Sequence, residues 1–145
     1  MTLILKNFQS ESKKSGDQFE NLVEENLIQN GFNITHKGFK IDGIGVNVDF
    51  IAVNEIRTEY VEAKGGNCGG KKRPGAQRTD NVKKAVANGA LLKAINPDAY
   101  YVIYFSAKPK KGNSSDEMIQ TALRAGYVNE VRYLENVSDV TELSD

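Results

Sequence analysis

Asp49 stands inside the apolar run Val46-Asn47-Val48-Asp49-Phe50-Ile51, and thirteen positions later Glu62-Ala63-Lys64 closes a second strand-like run just before Gly65-Gly66. Side chains two apart on a strand share a face, so Glu62 and Lys64 point the same way, and a hairpin would bring Asp49 alongside them. Two carboxylates and an amine at one sheet end suit phosphodiester hydrolysis. That reaction needs a divalent ion to polarise the phosphate, a hydroxide to attack it and a means of holding the developing charge. Mg2+ prefers hard oxygen ligands and is typically held by one or two carboxylates, which makes Asp49 and Glu62 the candidate ligands and the backbone carbonyl of Ala63 a candidate third oxygen. Mn2+ is expected to substitute. Lys64 has two open roles, positioning or deprotonating the attacking water, or neutralising charge in the transition state. The same spacing arises often by chance, and exposed strands pair such charges. What sets this case apart is that Asp49 lies in an apolar run, where a carboxylate without a partner or ion is costly to bury.

The flanking segments indicate what positions these residues. Ser15 followed by Gln18 fits a capping box, and Phe19, Leu22, Val23 and Leu27 recur at helical spacing, so a helix is expected over 16–30, ended by Gly31. Glu20 borders its apolar stripe and is a candidate further acid. Phe32 to Thr35 reads as a short strand, and Gly38, Gly43 and Gly45 punctuate the residues after it. Asn54-Glu55 is a turn between the Asp49 and Glu62 strands. The stretch 65–77, with its glycines and Pro74-Gly75, reads as an irregular basic loop. Val82, Ala85, Val86, Ala90 and Leu91 predict a helix over 80–95, stopped by Asn96-Pro97. The continuous run Tyr100 to Phe105 predicts a central strand covered on both faces. A helix over 115–125 and a strand from Val128 to Leu134 come next, and residues 1–15 read as an arm or a short edge strand. The order is helix, three strands, helix, strand, then a terminal helix and strand. It implies an α/β or α+β domain with a mixed sheet flanked by helices.

Formal net charge is zero, but its distribution is uneven. Lys71, Lys72 and Arg73 come after the Glu-x-Lys element and are expected to contact DNA backbone phosphates, with Arg78 and Lys83 as further DNA-binding candidates. Solvated loops and helix faces would give the same pattern, and for Lys83 that reading has equal weight. Lys108, Lys110 and Lys111 form a second basic cluster, and the segment from Glu130 to Asp145 is acidic. Gly65-x4-Gly70-Lys71-Lys72 misses a phosphate-cradling P-loop, because Lys72 stands where Ser or Thr would hold Mg2+ and Pro74-Gly75 occupies the place where a helix should begin. No nucleotide cofactor is expected.

The helix carrying Gly16-Asp17-Gln18-Phe19-Glu20, then Asp49, then Glu62-Ala63-Lys64, then a basic helix, resembles the PD-(D/E)xK (restriction-endonuclease-like) nuclease superfamily over about residues 16–106. The resemblance implies a restriction-endonuclease-like core and Mg2+-dependent DNA hydrolysis. It makes Asp49 and Glu62 the ligands, Lys64 the catalytic lysine and Glu20 the match to the helix-one acid of several branches. Val48 stands where the motif's Pro would be, a departure that bears on branch more than on activity. Small Holliday-junction resolvases, phage nucleases and compact restriction enzymes are all similar. The alternatives kept open are a catalytically silent DNA-binding or assembly module of the same fold, a structure-selective as against a sequence-specific nuclease, and action on RNA.

The length suits one domain, with 136–145 an acidic tail. No run reaches the roughly 20 apolar residues of a membrane span, and Lys6 interrupts the opening apolar residues. An intracellular, cytoplasmic protein is expected, with a phage-encoded protein acting in a bacterial host as one setting. Cys68 and His36 are the lone cysteine and histidine, which excludes an intramolecular disulfide and a cysteine/histidine zinc site. A homodimer is expected, because cutting both strands of a duplex in one encounter takes two centres. The 115–134 segment and the N-terminal arm are the expected interface.

Overall fold

Tyr100 to Phe105 form the strand on which the rest of the molecule is built, and all but Tyr100 are buried. The computed structural model describes residues 11–66 and 74–135, with the side chains of 11–17 outside that description. Its elements are α1 (Glu11–Gln29), β1 (Asn33–Ile41), β2 (Val46–Val53), β3 (Thr58–Lys64), a 3-10 turn (Gly75–Gln77), α2 (Thr79–Ile95), β4 (Tyr100–Phe105), α3 (Ser114–Ala125) and β5 (Glu130–Tyr133). The five strands lie in the order β1-β2-β3-β4-β5. The β1–β2 and β2–β3 pairs are antiparallel, whereas β3–β4 and β4–β5 are parallel, so the described residues form a mixed sheet with three helices. Among the described residues no helix is long and apolar enough to cross a membrane.

Each sheet face carries its own core. Phe19, Val23 and Leu27, one face of α1, pack with Phe50, Ala52, Val61, Ala63, Val102 and Tyr104. Val82, Ala85 and Leu92 of α2 join Ile119 and Ala122 of α3 against Tyr101, Ile103 and Phe105. The alternation of β4 thus feeds both layers, as expected for a strand buried on two faces. Gly89 sets how close α2 can approach: a Cβ there would lie 2.5 Å from the Tyr127 carbonyl oxygen and 2.8 Å from the Tyr101 ring. Gly89→Ala should therefore force α2 outward and cost about 1–3 kcal/mol in urea unfolding. An unchanged midpoint would show that the helix has room to move.

Several boundaries differ from those read in the sequence. Helix α1 begins at Glu11, so residues 11–15 belong to a helix and not to an arm, and Ser15 lies inside α1 where it cannot be an N-cap. Strand β1 runs to Ile41 through Gly38, longer than the Phe32–Thr35 segment expected, because pairing with the long strand β2 outweighs the weak strand preference of glycine. The 65–77 stretch is not irregular throughout, since Gly75–Gln77 form the 3-10 turn. The Asn54 turn is as expected: its backbone N–H donates to the Arg57 carbonyl at 3.1 Å, and its Oδ1 accepts from the Ile56 and Arg57 amides. The expected N-terminal arm up to residue 10 and the acidic tail 136–145 lie outside the described residues.

Candidate active site

Strands β2 and β3 pair from Val53↔Thr58 to Phe50↔Val61, and the ladder goes no further. One step on in the same register Asp49 faces Glu62. There the strands part, and the Asp49 carboxylate enters the gap: its Oδ2 accepts the Ala63 backbone N–H at 2.7 Å. A side chain thus takes the place of a ladder bond, which fixes one carboxylate oxygen against β3. Glu62 and Lys64 share the face occupied by Tyr60, and the Lys64 ammonium lies 3.2 Å from Glu62 Oε2. The expected hairpin constellation of Asp49, Glu62 and Lys64 is therefore brought together at the C-terminal end of β3.

Electrostatics at this point are those of a crowded anion pair. Glu62 is only 6% exposed. Burial, then the nearby Asp49 charge, push its carboxyl up from 4.5 to about 7, although Lys64 pulls the other way. Glu20 adds a further upward push on Glu62. Burial also raises Asp49, against the opposing effects of the Ala63 N–H and Lys64. Helix α1 passes close to the end of β3, where a Cβ at Gly65 would meet the Phe19 Cβ at 2.6 Å; Glu20, the next residue, is half-buried there. Tyr101 lies in the same field. Its buried hydroxyl donates to the Ala85 carbonyl at 2.7 Å, and burial followed by the Glu62 and Asp49 charges holds its pKa well above the ordinary value.

Among the described residues no three Asp, Glu, His or Cys side chains form a metal-holding cluster. Asp49 and Glu62 are the two carboxylates that could hold a divalent ion here, a donor set that would suit an ion keeping several of its waters. The buried Glu62 and half-buried Asp49 carboxylates facing one ammonium leave a site short of positive charge, and a divalent cation would relieve the repulsion that helps raise Glu62.

The chain beyond β3 is tied back to the same place. Gly75 N–H donates to the Gly65 carbonyl at 3.3 Å, the Asn81 side-chain amide donates to the Gly75 carbonyl at 3.1 Å, and Ser106 N–H donates to the Lys64 carbonyl at 3.1 Å. Gly75 has φ +51°, and a Cβ there would sit 2.5 Å from the Ala107 nitrogen, so only glycine lets this turn press on the exit of β4. Lys71, Lys72 and Arg73 lie outside the described residues, as does Cys68; the triplet precedes Pro74 in sequence, one residue before this anchor. Arg78 is half-buried at the start of α2. Lys83 is exposed and lines a groove of about 470 Å³ between α2 and α3 with Val86, Ser114, Met118 and Tyr127. His36 is exposed on β1, paired with the Thr35 hydroxyl at 2.9 Å and edge-on to Phe39.

Comparisons with protein-family models, with curated proteins and with solved structures find no match. The functional reading therefore rests on the site.

Sequence reasoning passed over one built feature. Glu59 is fully buried and takes both Arg132 guanidinium nitrogens, Nη1 at 2.9 Å and Nη2 at 2.8 Å, while Arg57 Nε donates to it at 3.0 Å. Arg132 also binds Glu130 and donates to the Tyr104 hydroxyl, which in turn donates to Asn26 of α1. The signal was present in the alternation: Glu59 shares parity with Val61 and Ala63, so a carboxylate falls on a face that is otherwise core.

Proposed function

We propose that this chain is a metal-dependent endodeoxyribonuclease, a phosphodiester hydrolase of the PD-(D/E)xK type with a restriction-endonuclease-like core. The observation that carries this reading is the gap between β2 and β3, where Asp49 is clamped on the Ala63 amide opposite Glu62, with Lys64 on the same face. Asp49 and Glu62 would hold Mg2+, with the Ala63 carbonyl as a third oxygen. The ion would supply Lewis-acid polarisation of the phosphate and an activated water. The Ala63 N–H fixes the orientation of Asp49, so one ligand is set before any ion arrives. Lys64, 3.2 Å from Glu62, holds positive charge where a phosphate would bring negative charge, and the fully buried Tyr101 lies in the field of both carboxylates. Glu20 supports the site from α1 as a further acid. The basic residues before Pro74, together with Arg78, would meet backbone phosphates. Cutting both strands in one encounter would require two such centres, which a two-fold homodimer supplies.

The test is to incubate the protein with supercoiled plasmid, branched DNA, single strands and RNA, with Mg2+ and with EDTA. Mg2+-dependent nicking or linearisation of DNA, lost in EDTA and in Asp49→Asn, is the expected result. No cleavage of any DNA substrate under Mg2+ or Mn2+ would overturn the reading, and cleavage of RNA alone would move it to another substrate.

A further inference from the structure

The C-terminal ends of β3 and β4 carry a second polar feature that the carboxylate site does not use. Gln77, Lys108, Pro109, Lys110 and Asn113 line a cavity of about 330 Å³, and none of these lining residues is acidic. Its walls grow from the two chain crossings that hold the catalytic end. Gln77 closes the turn whose first residue, Gly75, is bonded to Gly65, and the Ala76 N–H donates to the Ala107 carbonyl at 3.0 Å, immediately before Lys108. The nearby carboxylate of Asp116 is already engaged, its Oδ2 accepting the Gly112 N–H at 2.8 Å. Lys108 lies 5.9 Å over the Tyr133 ring and Lys110 is exposed, and neither ammonium forms a salt bridge among the described residues.

Two further facts place the cavity relative to the carboxylate site. Helices α2 and α3 each come after a strand and run back antiparallel to it, so both begin at this end of the sheet, where the Thr79 and Ser115 hydroxyls lie 3.4 Å apart. The first turns of these helices already carry the acids Asp80, Asp116 and Glu117, so the positive charge at the cavity is that of Lys108 and Lys110. Lys64 and Phe105 are register partners, and Lys108 is three residues past Phe105. One strand spacing and three Cα steps of about 3.8 Å therefore keep the Lys108 Cα within about 16 Å of the Lys64 Cα. That span takes in a few neighbouring phosphates of one strand of a duplex.

We propose that this cavity is a second backbone-phosphate subsite, in which Lys108, Lys110 and the Gln77 carboxamide hold a DNA phosphate a few nucleotides from the one cut at Asp49 and Glu62. The inference rests on the nuclease reading and adds to it a place where the uncut part of the strand is gripped. Because phosphate contacts position without reading sequence, the subsite fixes the register of the backbone over the carboxylates.

The experiment measures binding of a short duplex to the full chain by fluorescence anisotropy over a series of salt concentrations, in a Glu62→Gln background that leaves the DNA intact. Lys108→Ala/Lys110→Ala should lower the slope of log affinity against log salt by about 0.9, the value for the one phosphate the two ammonium groups share. The control Lys40→Ala/Lys93→Ala removes the same charge from β1 and from the far end of α2, and should leave the slope as it was. Equal slopes for the two double variants would overturn the subsite while leaving the nuclease reading in place. A protein that neither binds duplex in this background nor cuts DNA as wild type would overturn the nuclease reading, and the subsite with it. Lys40, Lys108 and Lys110 are exposed and Lys93 is half-buried, and matching thermal melts would confirm that each variant is folded.

Discussion

Glu62→Gln should reduce Mg2+-dependent cleavage by about a hundred- to a thousandfold, the scale seen when one preorganised polar group is removed from a reaction centre, and should at the same time make the metal-free protein more stable at pH 8. The two effects have one cause. In the metal-free fold Glu62 titrates at about 7 instead of 4.5, with burial first and Asp49 second holding the proton on. A carboxyl raised in the folded state binds its proton more tightly there than in the unfolded chain, so its contribution to stability falls as pH rises from about 4.5 to about 7. The full loss is about 3 kcal/mol, at 1.36 kcal/mol per pKa unit. Glutamine keeps the shape without the charge, so in EDTA the variant should exceed wild type in urea midpoint at pH 8 and lose that advantage toward pH 4.5. Mg2+ should raise the melting temperature of wild type more than that of the variant. A variant no more stable than wild type at pH 8 in EDTA would show that Lys64 and local water already satisfy the ionised carboxylate. Retained turnover would remove Glu62 from the site.

Arg132→Ala is expected to be the most destabilising single change outside the apolar core, at about 3 kcal/mol or more. It leaves the fully buried Glu59 with Arg57 alone. Removing one partner of a buried pair leaves a charge uncompensated, whereas removing both does not. Urea unfolding should therefore show Arg132→Met/Glu59→Gln recovering part of the loss of Arg132→Met. Additive losses in that cycle would mean that the two side chains act independently, contrary to their bidentate geometry.

Alternation around Asp49 and the two-residue step from Glu62 to Lys64 made a hairpin legible in the sequence, and the register Phe50↔Val61 places these side chains as that pattern implied. Tyr100 to Phe105 read as a doubly covered strand because nearly every position is apolar or aromatic, and it is one. Helix α1 was harder to read. Its first turns, Glu11 to Gly16, have no apolar stripe, so a 3.6-residue period had nothing to register there. Gly38 looked like a stop because local preference was weighed without the neighbouring strand. The Glu59–Arg132 pair joins residues 73 apart, and no local pattern reveals which arginine will reach a buried carboxylate. The Gln77–Lys108 cavity likewise depends on two segments meeting at Ala76 and Ala107.

Strand β3 is the seam of the sheet, antiparallel to β2 on one side and parallel to β4 on the other. Residues 33–64 form a meander of local hairpins that can be built as soon as those residues exist, whereas β4 must wait for the whole of α2. Local pairings form faster than parallel ones that close long loops. During synthesis Asp49, Glu62 and Lys64 therefore leave the ribosome well before the strand that buries β3, and until β4 docks the carboxylates stay hydrated and their geometry loose. A truncated or half-folded copy would then lack the ordered arrangement of Asp49, Glu62 and Lys64, so under the proposed function the order of translation would withhold activity from unfinished protein.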